Sequence, residues 1–213
     1  MKVIDLGLVS FAEALELQQE ALEDVLHGGQ ERLFILEHRP VITFGRHGGE
    51  AFVRMPAGEL RARGVDVEKA SRGGSVTCHF PGQAVLYPIM RLSGRPGGLK
   101  RFFYDLEQTG IDALASLGIK ADRSPGRPGV WVGPRKIASV GIGVKRWVSY
   151  HGLALNAGRD LSLFSMITAC GLPGVEMTSA ARELERMGRD VQEADVRRVK
   201  NALVEAFESN ADR

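Results

Sequence analysis

Apolar residues recur at helical spacing just after Ser10. Phe11, Leu15, Leu22, Val25 and Leu26 fall on one face, and Gly28-Gly29 stops the run. Ser10-Phe-Ala-Glu13 has the form of a capping box, which satisfies two orphan donors at a helix start. Residues 99–117 form a second such stretch, with Leu99, Phe102, Phe103, Leu106, Ala113, Leu114 and Leu117 sharing a face that ends at Gly118. Elsewhere the pattern shortens. "RLFILEH" and "VITFGRH" read as strands divided by Pro40, and "VTCHFPGQAVLYPIM" as strand, turn at Pro81-Gly82, strand. "GVWVGPRKIASVGIGV" predicts a hairpin turning at Gly133-Pro134, and "SYHGLALNA" one further strand. Residues 50–64 are polar and read as helical or irregular. Two short helices are expected near the end, the last with Val196, Val199, Leu203 and Phe207 on its apolar face.

Strands clustered between separated helices, without regular β-α-β alternation, imply an α+β fold (α/β in the broad sense) with a central mixed or antiparallel sheet. No repeat, low-complexity segment or linker divides the chain, so residues 1–213 read as one domain. "SGRPGGL" and "RSPGRPG" read as surface loops, the kind of segment that can border an active site.

Composition narrows the class. At 213 residues, with 44% apolar and 25% charged residues, the chain is globular and long enough to bury a core. A net charge of +2 gives no argument for nucleic acid. No apolar run is long enough to span a bilayer, and "MKVIDLGLVS" meets Asp5 before any long apolar region, so no signal peptide is readable. Two cysteines suit a reducing interior rather than a disulfide framework, and the expected compartment is the cytoplasm.

Two residues stand out for chemistry. Cys170 ends an apolar segment in "TACGLPGVEMTS", and the Gly-Leu-Pro-Gly turn after it would expose the sulfur. Strict alternation puts Lys136 on the face of Ala138, Val140, Ile142 and Val144, with Ile137, Ser139, Gly141 and Gly143 on the other. A lysine on an apolar face must snorkel to solvent, find a partner, or give up its charge more readily; a desolvated amine can take a proton from a thiol. "SRGGSVTCHFPGQ" supplies glycines that let backbone approach a substrate, and Arg72 for an anionic or carbonyl group. No phosphate-loop pattern is present. A metal site is disfavoured because Cys78 and His79 are adjacent on a strand and point to opposite faces. His27, His38, His47 and His151 show no usable ligand spacing and read as structural or exposed. The carboxylates of "ARELERMGRDVQEADVRRVK" alternate with arginines as on a solvated helix face.

Taken together, these pieces resemble a known family. "RGGSVTCHFPGQAVLYPI" is similar to the signature of the lipoyl(octanoyl) transferases, lipoate-protein ligase B, which usually reads R-G-G-x-V-T-Y-H-G-P-G-Q. "GVWVGPRKIASVGIGVKRWVSYHGLALN" and "CGLPGVEMTS" match its two later signatures in order, so the likeness covers roughly residues 40 to 180. The resemblance implies a fold related to the catalytic domains of biotin- and lipoate-protein ligases. It also implies transfer of an octanoyl group from acyl carrier protein, on its phosphopantetheine arm, to a lysine of lipoyl domains or of glycine-cleavage H protein, with no bound cofactor or metal. It sets the nucleophile on Cys170 and the lysine that activates it on Lys136. Acyl contacts fall on Arg72, Gly73, Gly74 and Ser75, on Val76, Thr77, Cys78 and His79, on Ser139, Val140 and Gly141, and on Gly152, Leu153 and Ala154. Cys78 stands where the family usually has tyrosine and Phe80 where it usually has glycine, which leaves the preferred acyl length open. Rival readings are an ATP-dependent lipoate- or biotin-protein ligase, a lipoyl amidotransferase, and a carrier-binding protein without turnover.

Overall fold

β2 (Arg32–His38), β6 (Gln83–Ile89) and β10 (Val148–Asn156) are buried on nearly every side and form the middle of a seven-stranded sheet. A strand covered on both faces reads as a continuous apolar run, as "RLFILEH" and "QAVLYPI" do. The computed structural model describes residues 1–168 and 174–211. It adds β1 (Lys2–Val9) beside β2, and β9 (Arg135–Lys145), β8 (Arg127–Val132) and β7 (Asp122–Ser124) beyond β10. β1 runs parallel to β2; the other pairings in this sheet are antiparallel. A smaller sheet sets β3 (Val41–Phe44) between β4 (Asp66–Lys69), parallel to it, and β5 (Val76–His79), antiparallel to it. The expected α+β fold with a mixed central sheet is the fold observed.

Helices close the large sheet on both faces. α1 (Phe11–Leu26) carries the expected capping box: Ser10 Oγ accepts from Glu13 N–H at 3.2 Å, and Glu13 Oε2 accepts from Ser10 N–H at 2.8 Å. Its Ala14, Ala21, Leu22 and Val25 pack on Phe34, Leu36, Val85 and Tyr87. α3 (Gly98–Ser116) and α5 (Val196–Ala211) cover the opposite face through Phe102, Leu106, Leu114, Val199, Leu203 and Phe207. The small sheet has its own core, in which Ile42, Cys78 and Phe80 meet Phe164, Ile167 and Leu60 of α2 (Ala57–Ala62). α4 (Ala180–Arg186) is the first of the two short helices expected near the end; the second, α5, runs sixteen residues. Among the described residues no helix is long and apolar enough to cross a membrane.

Three strands have no counterpart in the expected elements. β1 is a half-exposed edge strand whose register breaks between Asp5 and Gly7, where Gly7 has φ +66°, so it lacks clean alternation. β4 is short and mostly charged. β7 runs into the start of "RSPGRPG", which is a hairpin rather than an unpaired loop: Ser124 pairs with Arg127 across Pro125 and Gly126.

Candidate active site

The two sheets face each other across a cavity of about 200 Å³. One wall is β5 with the loop before it, including Arg72, Gly73, Gly74, Ser75, Val76, Thr77 and His79. The other is β9 and β10, including Ser139, Val140, Gly141, Gly152, Leu153 and Ala154. Fold therefore brings together three segments far apart in the chain, and with them every expected acyl-contact residue except Cys78. Cys78 is fully buried, but on the other face of β5, in the small core. Phe80 is there too, edge-on to Phe164 with ring centroids 5.6 Å apart. The two departures from the family signature thus lie behind the wall and not on it.

Arg72 meets carbonyl groups, as its position suggested, but they are the chain's own. Its Nη2 donates to Thr43 O and Thr43 Oγ1, each at 2.8 Å, and its Nη1 to Gly73 O at 3.0 Å and Ser75 O at 3.1 Å. The guanidinium holds the glycine loop in shape, and the Gly73 N–H then donates to Ile142 O at 2.9 Å, tying that loop to β9. Across the large sheet, a Cβ at Gly152 would lie 2.3 Å from Leu86 O, so only glycine lets β10 and β6 approach this closely.

Lys136 is 3% exposed and lines the cavity. It does so by a route that alternation misses. Val130 pairs with Ala138 but Trp131 with Lys136, a bulge that leaves Ile137 and Ala138 both in the core beneath α3 and α5. Lys136 turns into the cavity, where its Nζ donates to Pro128 O at 2.7 Å and stands 5.5 Å from the centre of the Trp131 ring. Its tip does not snorkel out. The backbone around it is equally fixed: Lys136 N–H donates to Glu176 O at 2.9 Å, and Thr178 N–H to Lys136 O at 2.8 Å. Beside it, Arg135 forms a two-pronged ion pair with Glu183 of α4, both contacts at 2.9 Å. Residues 176–178, shortly after Cys170 in the chain, are thus pinned against Lys136. Cys170 itself lies outside the described residues.

A cluster of histidines that sequence spacing did not suggest reaches the cavity wall through His79 and His151. His38 and His79 rings stand 5.3 Å apart, and Phe11 stacks on both His79 and His151. Tyr87 is 2.9 Å from His38 Nε2. His79 Nδ1 is 2.7 Å from Gln83 Oε1; Gln83 donates to Asn156 Oδ1 at 2.9 Å, and Asn156 to Thr178 O at 2.9 Å. This polar chain runs from the cavity to the segment that grips Lys136. His151 reaches the cluster because its backbone has φ +55°, rare for a bulky residue, which takes its ring out of the alternation of β10. Burial pushes His38 down to about 4 and His151 to about 3. His79 is driven well below the usual histidine value by burial and by its neighbour His38, and burial pushes the Tyr87 hydroxyl well up. At neutral pH these histidines are polar but uncharged. Among the described residues no three of His, Cys, Asp and Glu converge as a metal-ligand set.

A model of the lipoyl protein ligase A/B catalytic domain matches residues 10–208. An octanoyltransferase of Nitratidesulfovibrio vulgaris (strain DSM 19637 / Miyazaki F) is 55% identical over 184 residues, covering 86% of this chain and 84% of that protein. One from Maridesulfovibrio salexigens is 48% identical over 200 residues, covering 93% and 92%. Among solved structures, lipoate-protein ligase A bound with ATP has a TM-score of 0.79 at 15% identity, over 99% of this chain and 85% of that one. Biotin protein ligase from Aquifex aeolicus has a TM-score of 0.54 at 12% identity, over 100% and 69%. At such identities the likeness is one of fold.

Proposed function

Because the chain belongs to the lipoyl protein ligase A/B catalytic-domain family, we propose that it is an octanoyltransferase. It takes the octanoyl group from the phosphopantetheine thioester of acyl carrier protein and places it on a lysine of lipoyl domains or glycine-cleavage H protein. The observation that carries this reading is the 55% identity, over most of both chains, to an octanoyltransferase. The proposed setting is the cytoplasm, where a thiol nucleophile stays reduced.

In this mechanism the Cys170 thiolate attacks the thioester carbonyl. Backbone N–H groups hold the oxyanion, the carrier thiol leaves, and a thioester acyl-enzyme remains. The acceptor lysine amine then attacks that thioester, sulfur leaves, and the more stable amide forms. Lys136 takes the thiol proton, passes it to the departing carrier thiolate so that a thiol leaves, and, neutral again, takes the proton of the incoming amine in the second step. A buried amine at the cavity wall, with its backbone tied to residues 176 and 178, supports that role. Residues 72–77, 79, 139–141 and 152–154 border the acyl chain, a reading supported by their convergence on one cavity. One domain carries the whole reaction, in keeping with a single family model that matches residues 10–208.

Intact-protein mass after mixing with octanoyl acyl carrier protein, without ATP, tests the reading. An octanoyl adduct is expected on wild type and on Cys78→Ser, absent from Cys170→Ser, and discharged by a lipoyl domain. If properly folded protein forms no adduct but modifies a lipoyl domain from octanoate and ATP, it is an adenylating ligase.

A further inference from the structure

The peptide group that holds the Lys136 amine is itself held, at its other end, by a buried carboxylate. Glu107 lies mid-way along α3 and is 7% exposed. Its Oε1 accepts from the Gly129 N–H at 2.7 Å, and its Oε2 stands 3.2 Å from Arg123 Nε. The carbonyl of that same peptide unit is Pro128 O, which accepts from Lys136 Nζ at 2.7 Å. Carboxylate, peptide and amine are therefore in series. Negative charge on the N–H side polarises the peptide and makes its oxygen a stronger acceptor for the amine. Gly129 makes the approach possible: at φ +112°, a Cβ there would lie 2.4 Å from Ala138 O and 2.8 Å from Lys136 Cε. Burying a carboxylate on the core-facing side of a helix is unfavourable unless its partners are good, so this placement has a local reason.

We propose that Glu107 is a positioning residue for acyl transfer, acting through the Pro128–Gly129 peptide to fix where the Lys136 amine stands over the cavity. This rests on Lys136 being the proton acceptor. The competing possibility is that Glu107 merely anchors the β7–β8 hairpin, whose Gly126 and Pro128 also line the cavity. An anchor would act on substrate binding and stability, whether or not the amine is present.

Wild type, Glu107→Ala, Glu107→Gln, Lys136→Ala and the Glu107→Ala/Lys136→Ala double variant are compared in steady-state and single-turnover octanoyl transfer, with thermal unfolding of each. Glu107→Ala is expected to lower kcat at least about tenfold while the donor KM stays within about threefold. Glu107→Gln, whose amide oxygen still accepts from Gly129 but carries no charge, recovers part of that loss. In the Lys136→Ala background, removing Glu107 changes the residual rate less than about twofold, because the group it acts through is gone. Equal losses with and without Lys136, or an effect confined to KM and unfolding temperature, would overturn the proposal in favour of an anchor. Full activity of Glu107→Ala beside an inactive Lys136→Ala overturns the proposal alone. Wild-type transfer by Lys136→Ala overturns the role of the amine and this proposal with it. Should Glu107→Ala fail to fold, Glu107→Asp, which keeps the charge but draws the carboxylate back from the Gly129 N–H, is judged by the same split between kcat and KM.

Discussion

At Lys136 and at Phe80 a side chain's surroundings differ from what its place in the sequence suggests. Lys136 was legible as an unusual residue, yet the stated reason, a share in the apolar face of β9, fails at the bulge; Ile137 and Ala138 take the core and the lysine takes the cavity. His38, His79 and His151 were not legible as a group. They come from three strands far apart in the chain, and one depends on a left-handed backbone that no pattern of apolar positions encodes. Phe80 reads as added bulk near an acyl site, but it packs on Phe164 in the small core. Phe80→Ala is therefore expected to lower stability by about 3 kcal/mol, as large-to-small core changes do. Denaturant unfolding measures that loss, and transfer rates with hexanoyl, octanoyl and decanoyl donors should keep their ratios. A changed order of chain lengths would put Phe80 back in the wall.

Among the elements, legibility follows burial and capping. α1 was bounded at its start by the Ser10 capping box, and β2, β6 and β10 by their apolar runs, because each of these signals is local and strong. β1, β4 and β7 escaped because an edge strand needs only one partner and little apolar surface; two of the three are four residues or shorter. The capping box also bears on the site, since Phe11, the next residue, stacks on His79 and His151. Ser10→Ala is expected to cost about 1 kcal/mol in urea unfolding. A loss within error would mean that tertiary contacts alone hold the start of α1.

For the molecule as a whole, a wall of neutral histidines ties stability to pH. The unfolded chain binds protons at these residues near pH 6.5. The folded protein excludes a proton from His38 down to about 4 and from His151 down to about 3. Between those limits the unfolded state holds more protons, so stability falls as pH is lowered from about 6.5 and is untouched by these groups above neutrality. Each buried histidine adds a slope of about 1.4 kcal/mol per pH unit. Denaturant unfolding at pH 7.5, 6.0 and 5.0 should show the loss, and His151→Asn, which tolerates the left-handed backbone, should make it shallower by about one proton. Equal stability at all three values would rule the argument out.

The cavity's walls belong to two separately packed cores, and this bears on how the protein can change over generations. Its width is a spacing between two bodies, set where backbone nears backbone: the Gly73 N–H on Ile142 O, and Gly141, where a Cβ would lie 3.4 Å from Gly73 O. Apolar residues behind either wall are free to drift in identity as long as each core keeps its volume. Constraint falls instead on a few glycines that have no side chain at all, and a methyl group gained at one of them would alter the site more than many exchanges in the interior.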